Sequence, residues 1–245
     1  QNVTFRLDFP NNLAFAPGVG TYYVGQLTDT NRQAVALQDT AGGAITLALG
    51  ARGDSYTLLP DLTGNGGLMK VGAGTITLTN AQAYAGPTVV NGGTLKIGDG
   101  VNDGALPNTT SYLLGPAGTL AFNTLASRTN AVPLVGSGFL TKAQPSLLAL
   151  SAYNTSNNAV TVSAGALAVN GGSYMGGSFT VGTGAQLAFN GGSGTGATLA
   201  VSGTLTSPIR ISGGSHLFAS PIGQNNLRYE QTGGFCQFIG AQGVS

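Results

Sequence analysis

Residues Gly67–Ile97 read GLMKVGAGTITLTNAQAYAGPTVVNGGTLKI, and the pattern returns 72 positions later at Phe139–Val169 as FLTKAQPSLLALSAYNTSNNAVTVSAGALAV. Superposing the two copies matches Gly64 with Gly136, Gly66 with Gly138, Leu68 with Leu140 and Lys70 with Lys142. Further along, Leu78 meets Leu150, Val90 meets Val162, Gly93 meets Gly165 and Leu95 meets Leu167. Tyr84 and Tyr153 align after a gap of three residues. Self-similarity of this kind marks a repeat architecture, in which each unit buries its apolar face by stacking on the next.

Inside the first copy, Thr75–Thr79 alternates Ile76 and Leu78 with threonines, and Val90, Leu95 and Ile97 keep the same two-residue rhythm. Alternation predicts short strands with one dry and one wet face. Gly72-Ala73-Gly74, Ala85-Gly86-Pro87 and Asn91-Gly92-Gly93 stand between them and predict corners, since Asn and Gly accept a sharp turn without a Cβ penalty. The rhythm runs on through Gly118–Asn123, Ser178–Val181, Ala185–Asn190, Ala197–Val201, Pro208–Ile211 and Phe235–Ile239. No segment combines a helix cap with a sustained helical period, so the chain is expected to be all-β.

A sandwich or barrel prefers longer strands joined by hairpins. A parallel β-helix prefers short strands, Gly- and Asn-rich corners and coils of about 20–25 residues stacked at about 4.8 Å. The spacing selects the parallel β-helix, with about eight coils over residues 62–245, on the order of 40 Å of stacking.

Composition narrows the function. The 245 residues include 41 Gly, no Trp and one Cys, and only 7% are charged, against about a quarter in an ordinary soluble domain. Apolar residues make up 42%, too many for a disordered linker. Nine basic against eight acidic residues leave a net charge of +1 without a basic stripe, which argues against a nucleic-acid partner. No apolar run reaches the roughly 18–20 residues that cross a bilayer as a helix, so membrane insertion of that kind is not expected. Lone Cys236 cannot form a disulfide within the chain and reads as a small buried hydrophobe. The low charge, the abundance of Thr, Ser, Asn and Gly, and an opening at Gln1 without an initiator Met fit a processed, secreted protein.

Residues 1–61 differ from the rest. Val3, Phe5, Leu7 and Phe9 alternate with Thr4, Arg6 and Asp8 until Pro10 stops the pattern. This segment is expected either to cap the solenoid or to act as a donor strand that completes a neighbouring subunit by strand addition. Phe235, Phe238 and Ile239 near the other end resemble mid-coil sequence, which suggests end-to-end self-association. Val3, Phe5, Leu7, Phe9, Phe235, Phe238 and Ile239 are thus the candidate assembly residues.

The core G-G-L-x-K-x-G-A-G-T-x-T-L-T of residues 66–79 is followed by Ala83-Tyr84-Ala85-Gly86 and by Thr88-Val89-Val90-Asn91-Gly92-Gly93-Thr94-Leu95. Together they resemble the passenger-associated β-helix repeat of bacterial autotransporters. The resemblance is close over this segment and weaker over Gly136–Val169, where Pro145 and Ser146 replace the glycine-containing turn. It implies a secreted, right-handed parallel β-helix displayed at or beyond the cell surface, and it carries no catalytic residues. The corresponding expectation is a non-enzymatic structural or adhesive building block of a surface stalk or filament.

Other chemistry is weighed against that expectation. A polysaccharide-active β-helix would need carboxylates such as Asp54, Asp61, Asp99 and Asp103 to converge with a basic residue in one groove. Asp99 and Asp103 flank the turn Gly98–Gly104, whose oxygens lack the ligand spacing and closing Glu of an EF-hand. His216 is the single histidine and cannot supply a metal cluster. Neither a catalytic residue, a cofactor nor a metal is assigned. Arg52-Gly53-Asp54 spells a tripeptide familiar from cell-adhesion ligands, a triplet that Gly-rich loops generate readily. A glycan-binding module is the remaining alternative, with surface glycans as partners; Tyr84, Tyr112 and Tyr153 exposed along one face would favour it.

Overall fold

The computed structural model describes residues 4–7, 13–29, 31–156, 158–202, 205, 207–219 and 228–239. It is all-β, and the chain divides into two compact units, Gln1–Leu125 and Ala126–Ser245. Every strand ladder described below is parallel, as a β-solenoid requires.

In the first unit, β1 (Thr4–Leu7) pairs with β3 (Gln26–Asp29) of the same chain, Phe5 opposite Leu27. The main stack runs from β2 (Thr21–Val24) to β5 (Thr46–Leu49), β8 (Gly67–Lys70), β10 (Thr88–Ile97) and β11 (Tyr112–Phe122). Thr21, Thr46 and Gly67 stand in one register. A second stack joins β6 (Tyr56–Leu58), β9 (Thr75–Leu78) and the later halves of β10 and β11. β4 (Ala34–Ala36) pairs with β7 (Asp61–Thr63) on a third side.

The second unit repeats this plan. One stack is β13 (Leu134–Gly136), β16 (Tyr153–Ser156), β19 (Gly172–Met175), β22 (Ser193–Ser202), β24 (Ser215–Ala219) and β26 (Phe235–Ile239). Another is β14 (Phe139–Lys142), β17 (Ala159–Val162), β20 (Ser178–Gly182) and the later half of β22. The third is β12 (Arg128–Asn130), β15 (Leu147–Leu150), β18 (Ala166–Val169), β21 (Gln186–Phe189), β23 (Ile209–Ile211) and β25 (Tyr229–Gln231).

Register turns the alternating sequence into continuous columns. Leu58, Leu78, Ile97 and Phe122 succeed one another inside the first unit, and Leu150, Val169, Phe189 and Ile211 do so inside the second. All eight are buried. Each fully buried side chain of this size contributes about 1.5–3 kcal/mol relative to exposure, which makes the columns the main cohesive element between coils.

The structure revises the expected corner at Asn91-Gly92-Gly93. Residues 88–97 are a single strand that bends there, with a register shift between Val90 and Gly92 against β11. β22 bends in the same way between Thr195 and Ala197. A bulge turns the chain while pairing continues on both arms, so a corner of the coil need not interrupt the strand.

Candidate functional site

The matched lysines of the two repeats occupy equivalent places in the interior. Lys70 lies in register between Leu49 and Val90, and Lys142 stands beside Val162, so each interrupts an apolar column. Both are fully buried. Backbone carbonyls, in place of a carboxylate, hold both ammonium groups. Lys70 Nζ donates to Val71 O at 2.7 Å, Gly72 O at 2.8 Å and Gly92 O at 3.0 Å. Lys142 Nζ donates to Ala143 O at 2.6 Å and Gln144 O at 2.8 Å. Each lysine therefore closes its following corner from inside, satisfying carbonyls that a tight turn leaves without strand partners. Burial lowers the Lys70 pKa to about 8 and lowers that of Lys142 as well. The surrounding carbonyls favour the charged form, so Lys70 is an ammonium at neutral pH.

Gly72 and Gln144 hold the same corner position in the two copies, and both have φ of 70°. A Cβ at Gly72 would lie 2.1 Å from Gly50 O, so the first copy requires glycine there. The second copy carries a glutamine in a left-handed conformation that favours glycine.

The repeated tyrosines are interior polar anchors. Tyr84 and Thr88 hydroxyls meet at 2.5 Å, and Thr88 continues to Thr109 at 2.8 Å. Tyr153 donates its hydroxyl to Asn158 Oδ1 at 3.0 Å, and Asn158 Nδ2 donates to Gly138 O. Burial pushes both tyrosine pKa values well above the ordinary phenol range. Tyr84, Tyr112 and Tyr153 were the rings whose exposure would mark a sugar platform. All three are core residues instead, at most 3% exposed.

His216 is also a core residue. Its Nδ1 is 3.1 Å from the Tyr174 hydroxyl and its Nε2 is 3.1 Å from Gly213 O. The carbonyl can only accept, so Nε2 carries the proton and Nδ1 accepts from Tyr174. Burial lowers the imidazole pKa, and the neutral ring is committed to packing.

The acids do not converge. Asp54 pairs with Arg52 at 2.7 Å, and Arg52 also reaches Thr4 Oγ1 at 3.0 Å. Within Arg52-Gly53-Asp54 the two charged side chains thus hold one another. Asp61 accepts from Asn80 Nδ2, and Asp103 accepts the Leu125 N–H at 2.7 Å. Asp99 accepts the N–H groups of Val101 and Asn102 at 2.8 and 2.6 Å, an arrangement that holds its carboxyl below the ordinary range and ties off the turn.

Of the assembly residues, Val3 and Phe9 lie outside the described residues, as do the side chains of Phe5, Leu7 and Ile239. The backbone of Phe5 and Leu7 is in β1, opposite Leu27 and Asp29. Phe235 is half exposed, and the Phe238 ring lies 5.6 Å from that of Phe218 and 5.2 Å from that of Tyr229.

One concave surface escaped sequence reasoning. In the second unit, Asn154, Ser173, Ser193 and Ser215 form one outward column across successive coils, and Met175, Thr195 and Leu217 form another. They line an open groove of about 510 Å³. Asn154 Oδ1 accepts the Ser173 N–H at 2.9 Å, which fixes the first amide of the column. Ser173, Ser193 and Ser215 each follow a Gly-Gly pair (Gly171-Gly172, Gly191-Gly192 and Gly213-Gly214), a recurrence that could have signalled the column, whereas Asn154 joins it through register alone.

Comparison with known proteins agrees with the geometry. The family model of the passenger-associated transport repeat matches residues 68–97 and 140–169, the two copies that carry Lys70 and Lys142. A 90-residue stretch is 40% identical to a protein described as Adhesin BmaC autotransporter, from Brucella suis biovar 1 (strain 1330). That stretch is 37% of this chain and 2% of the adhesin, so the relative is far longer than the region compared. No solved structure matches the chain. The chain is a parallel β-solenoid in which residues 68–97 and 140–169 match the passenger-associated transport repeat.

Proposed function

We propose that this chain is a non-enzymatic segment of a secreted passenger, displayed outside the bacterial cell, where it serves as scaffold and adhesive surface. The observation that carries this reading is the pair of passenger-associated repeats, each folded around a buried lysine that closes its own corner. Within the repeats, Lys70, Lys142, Tyr84, Tyr153 and Thr88 are bonded within the core. Asp54, Asp61, Asp99, Asp103 and His216 each serve local structure, which favours scaffold over hydrolase. The description of the Brucella relative as an adhesin supports the adhesive part of the reading.

β1 is engaged with β3 of its own chain, so strand addition to a neighbour would require exchange out of that pairing. The reading therefore rests on display and lateral surfaces, with assembly as a separate matter.

Protease treatment of intact cells that produce the native protein tests the proposal. Loss of the segment, detected by an antibody to it, while a cytoplasmic marker survives is the expected result. Protection in intact cells together with cleavage after lysis would refute it.

A further inference from the structure

We infer that the groove of the second unit binds a neutral, linear glycan laid across the coils, an inference that rests on the surface-displayed adhesive reading above. The groove is lined by Gly136, the Asn154–Ser173–Ser193–Ser215 column, the Met175–Thr195–Leu217 column and the edges of Thr155, Tyr174 and Gly194.

Three features select the ligand. Among the described residues no charged side chain lines the groove, so an acidic polymer, a nucleic acid or a phospholipid headgroup finds no counter-charge there. β16, β19 and β22 are each paired on both sides, so a peptide cannot enter by extending the sheet there. Recognition must therefore come from side chains.

Those side chains suit a sugar chain. Asn154, Ser173, Ser193 and Ser215 are exposed and recur once per coil, at the inter-strand spacing of about 4.8 Å. Among the described residues, the Ser193 and Ser215 hydroxyls have no intramolecular partner. Beside them Met175, 67% exposed, and half-buried Leu217 offer apolar surface. A polar column running parallel to an apolar one matches a saccharide chain, whose hydroxyl edges alternate with C–H faces. Weak contacts repeated along a polymer add through effective concentration, so affinity should grow with chain length.

The test uses the complete 245-residue chain and calorimetric titration with cellohexaose, xylohexaose and chitohexaose, with a hyaluronan hexasaccharide as the acidic control. Saturable binding of at least one neutral oligosaccharide, weakened at least tenfold by Ser193→Arg, is expected. Thr161→Arg, at an exposed site on β17, should leave affinity unchanged. Thermal unfolding of both variants establishes that each is folded; Ser193→Asn serves as a second groove variant if Ser193→Arg is not. Absence of binding to all three neutral ligands, equal binding by a folded groove variant, or preference for hyaluronan would overturn the inference. None of those results would alter the outcome of protease treatment on intact cells, so the two proposals fail separately.

Discussion

Tyr174 and His216 stand two coils apart in one interior column, yet their rings stack with centroids 5.9 Å apart and planes 10° from parallel. Gly194 occupies the coil between them, and its missing side chain is what lets the Tyr174 hydroxyl reach His216 Nδ1. The two rings belong to an aromatic cluster with Phe179, Phe189 and Phe218, all buried. A Cβ on Gly194 would sit 1.9 Å from Tyr174 Cζ.

Gly194→Ala should therefore destabilise the second unit by about 3 kcal/mol, the upper range for an overpacked core. Urea unfolding followed by near-ultraviolet circular dichroism measures it. Combining it with Tyr174→Ala, which empties the same space, should be less damaging than the two single effects added together. Strict additivity would show that the clash is relieved elsewhere.

The neutral state of His216 gives a pH dependence of defined sign. Its folded pKa is lowered below the unfolded value of 6.5, so the unfolded chain binds the extra proton first as pH falls. The contribution is complete above pH 6.5 and is lost as pH descends toward the folded pKa. The difference in stability between wild type and His216→Gln should be constant above pH 6.5 and shrink below it. A difference that grows on acidification would contradict the assignment of Nδ1 as acceptor.

At alkaline pH two groups act in opposition. Lys70 has a folded pKa of about 8 against 10.5 unfolded, so the unfolded chain holds more protons between those values and stability should rise with pH. Tyr84, Tyr153 and Tyr174 have raised folded pKa values, so their contribution is lost as pH climbs past 10. Denaturation midpoints should pass through a maximum between about pH 9 and 10. Lys70→Met should shrink the rising limb, leaving the part that the lowered Lys142 pKa supplies. It should also cost about 1–3 kcal/mol at pH 7, because Val71, Gly72 and Gly92 carbonyls lose their donor.

Gln144 offers a stabilising change. Its left-handed backbone costs about 1 kcal/mol that glycine avoids, so Gln144→Gly should raise the midpoint by an equivalent amount. The reverse change, Gly72→Gln, should be severely damaging, because Gly50 O occupies the space of the new Cβ. Thermal melts of the two variants separate these outcomes.

Legibility in the sequence followed periodicity. Ile76, Leu78, Val90, Leu95 and Ile97 alternate openly, and their strands and burial could be read directly. Matching Lys70 with Lys142 identified an equivalent position, but the residue type argued for solvent; only the fold reveals carbonyls gathered around each ammonium. Tyr84 and Tyr153 were ambiguous for the same reason, since a hydroxyl can face water or a buried threonine or asparagine. The Asn91-Gly92-Gly93 corner was legible as a bend and illegible as a bulge, because pairing across it depends on β11. The groove was legible only in part: the Gly-Gly-Ser triplets ending at Ser173, Ser193 and Ser215 recur once per coil, but that they share a face with Asn154 depends on register.

The proposed adhesive role belongs to a folded solenoid surface of this chain. Retention of beads coated with the 245-residue chain on cultured epithelial cells under flow tests it most directly. Retention above that of albumin-coated beads, abolished when the coat is heat-denatured and preserved by Thr161→Arg, is expected. Retention equal to albumin, or unchanged after denaturation, would contradict it.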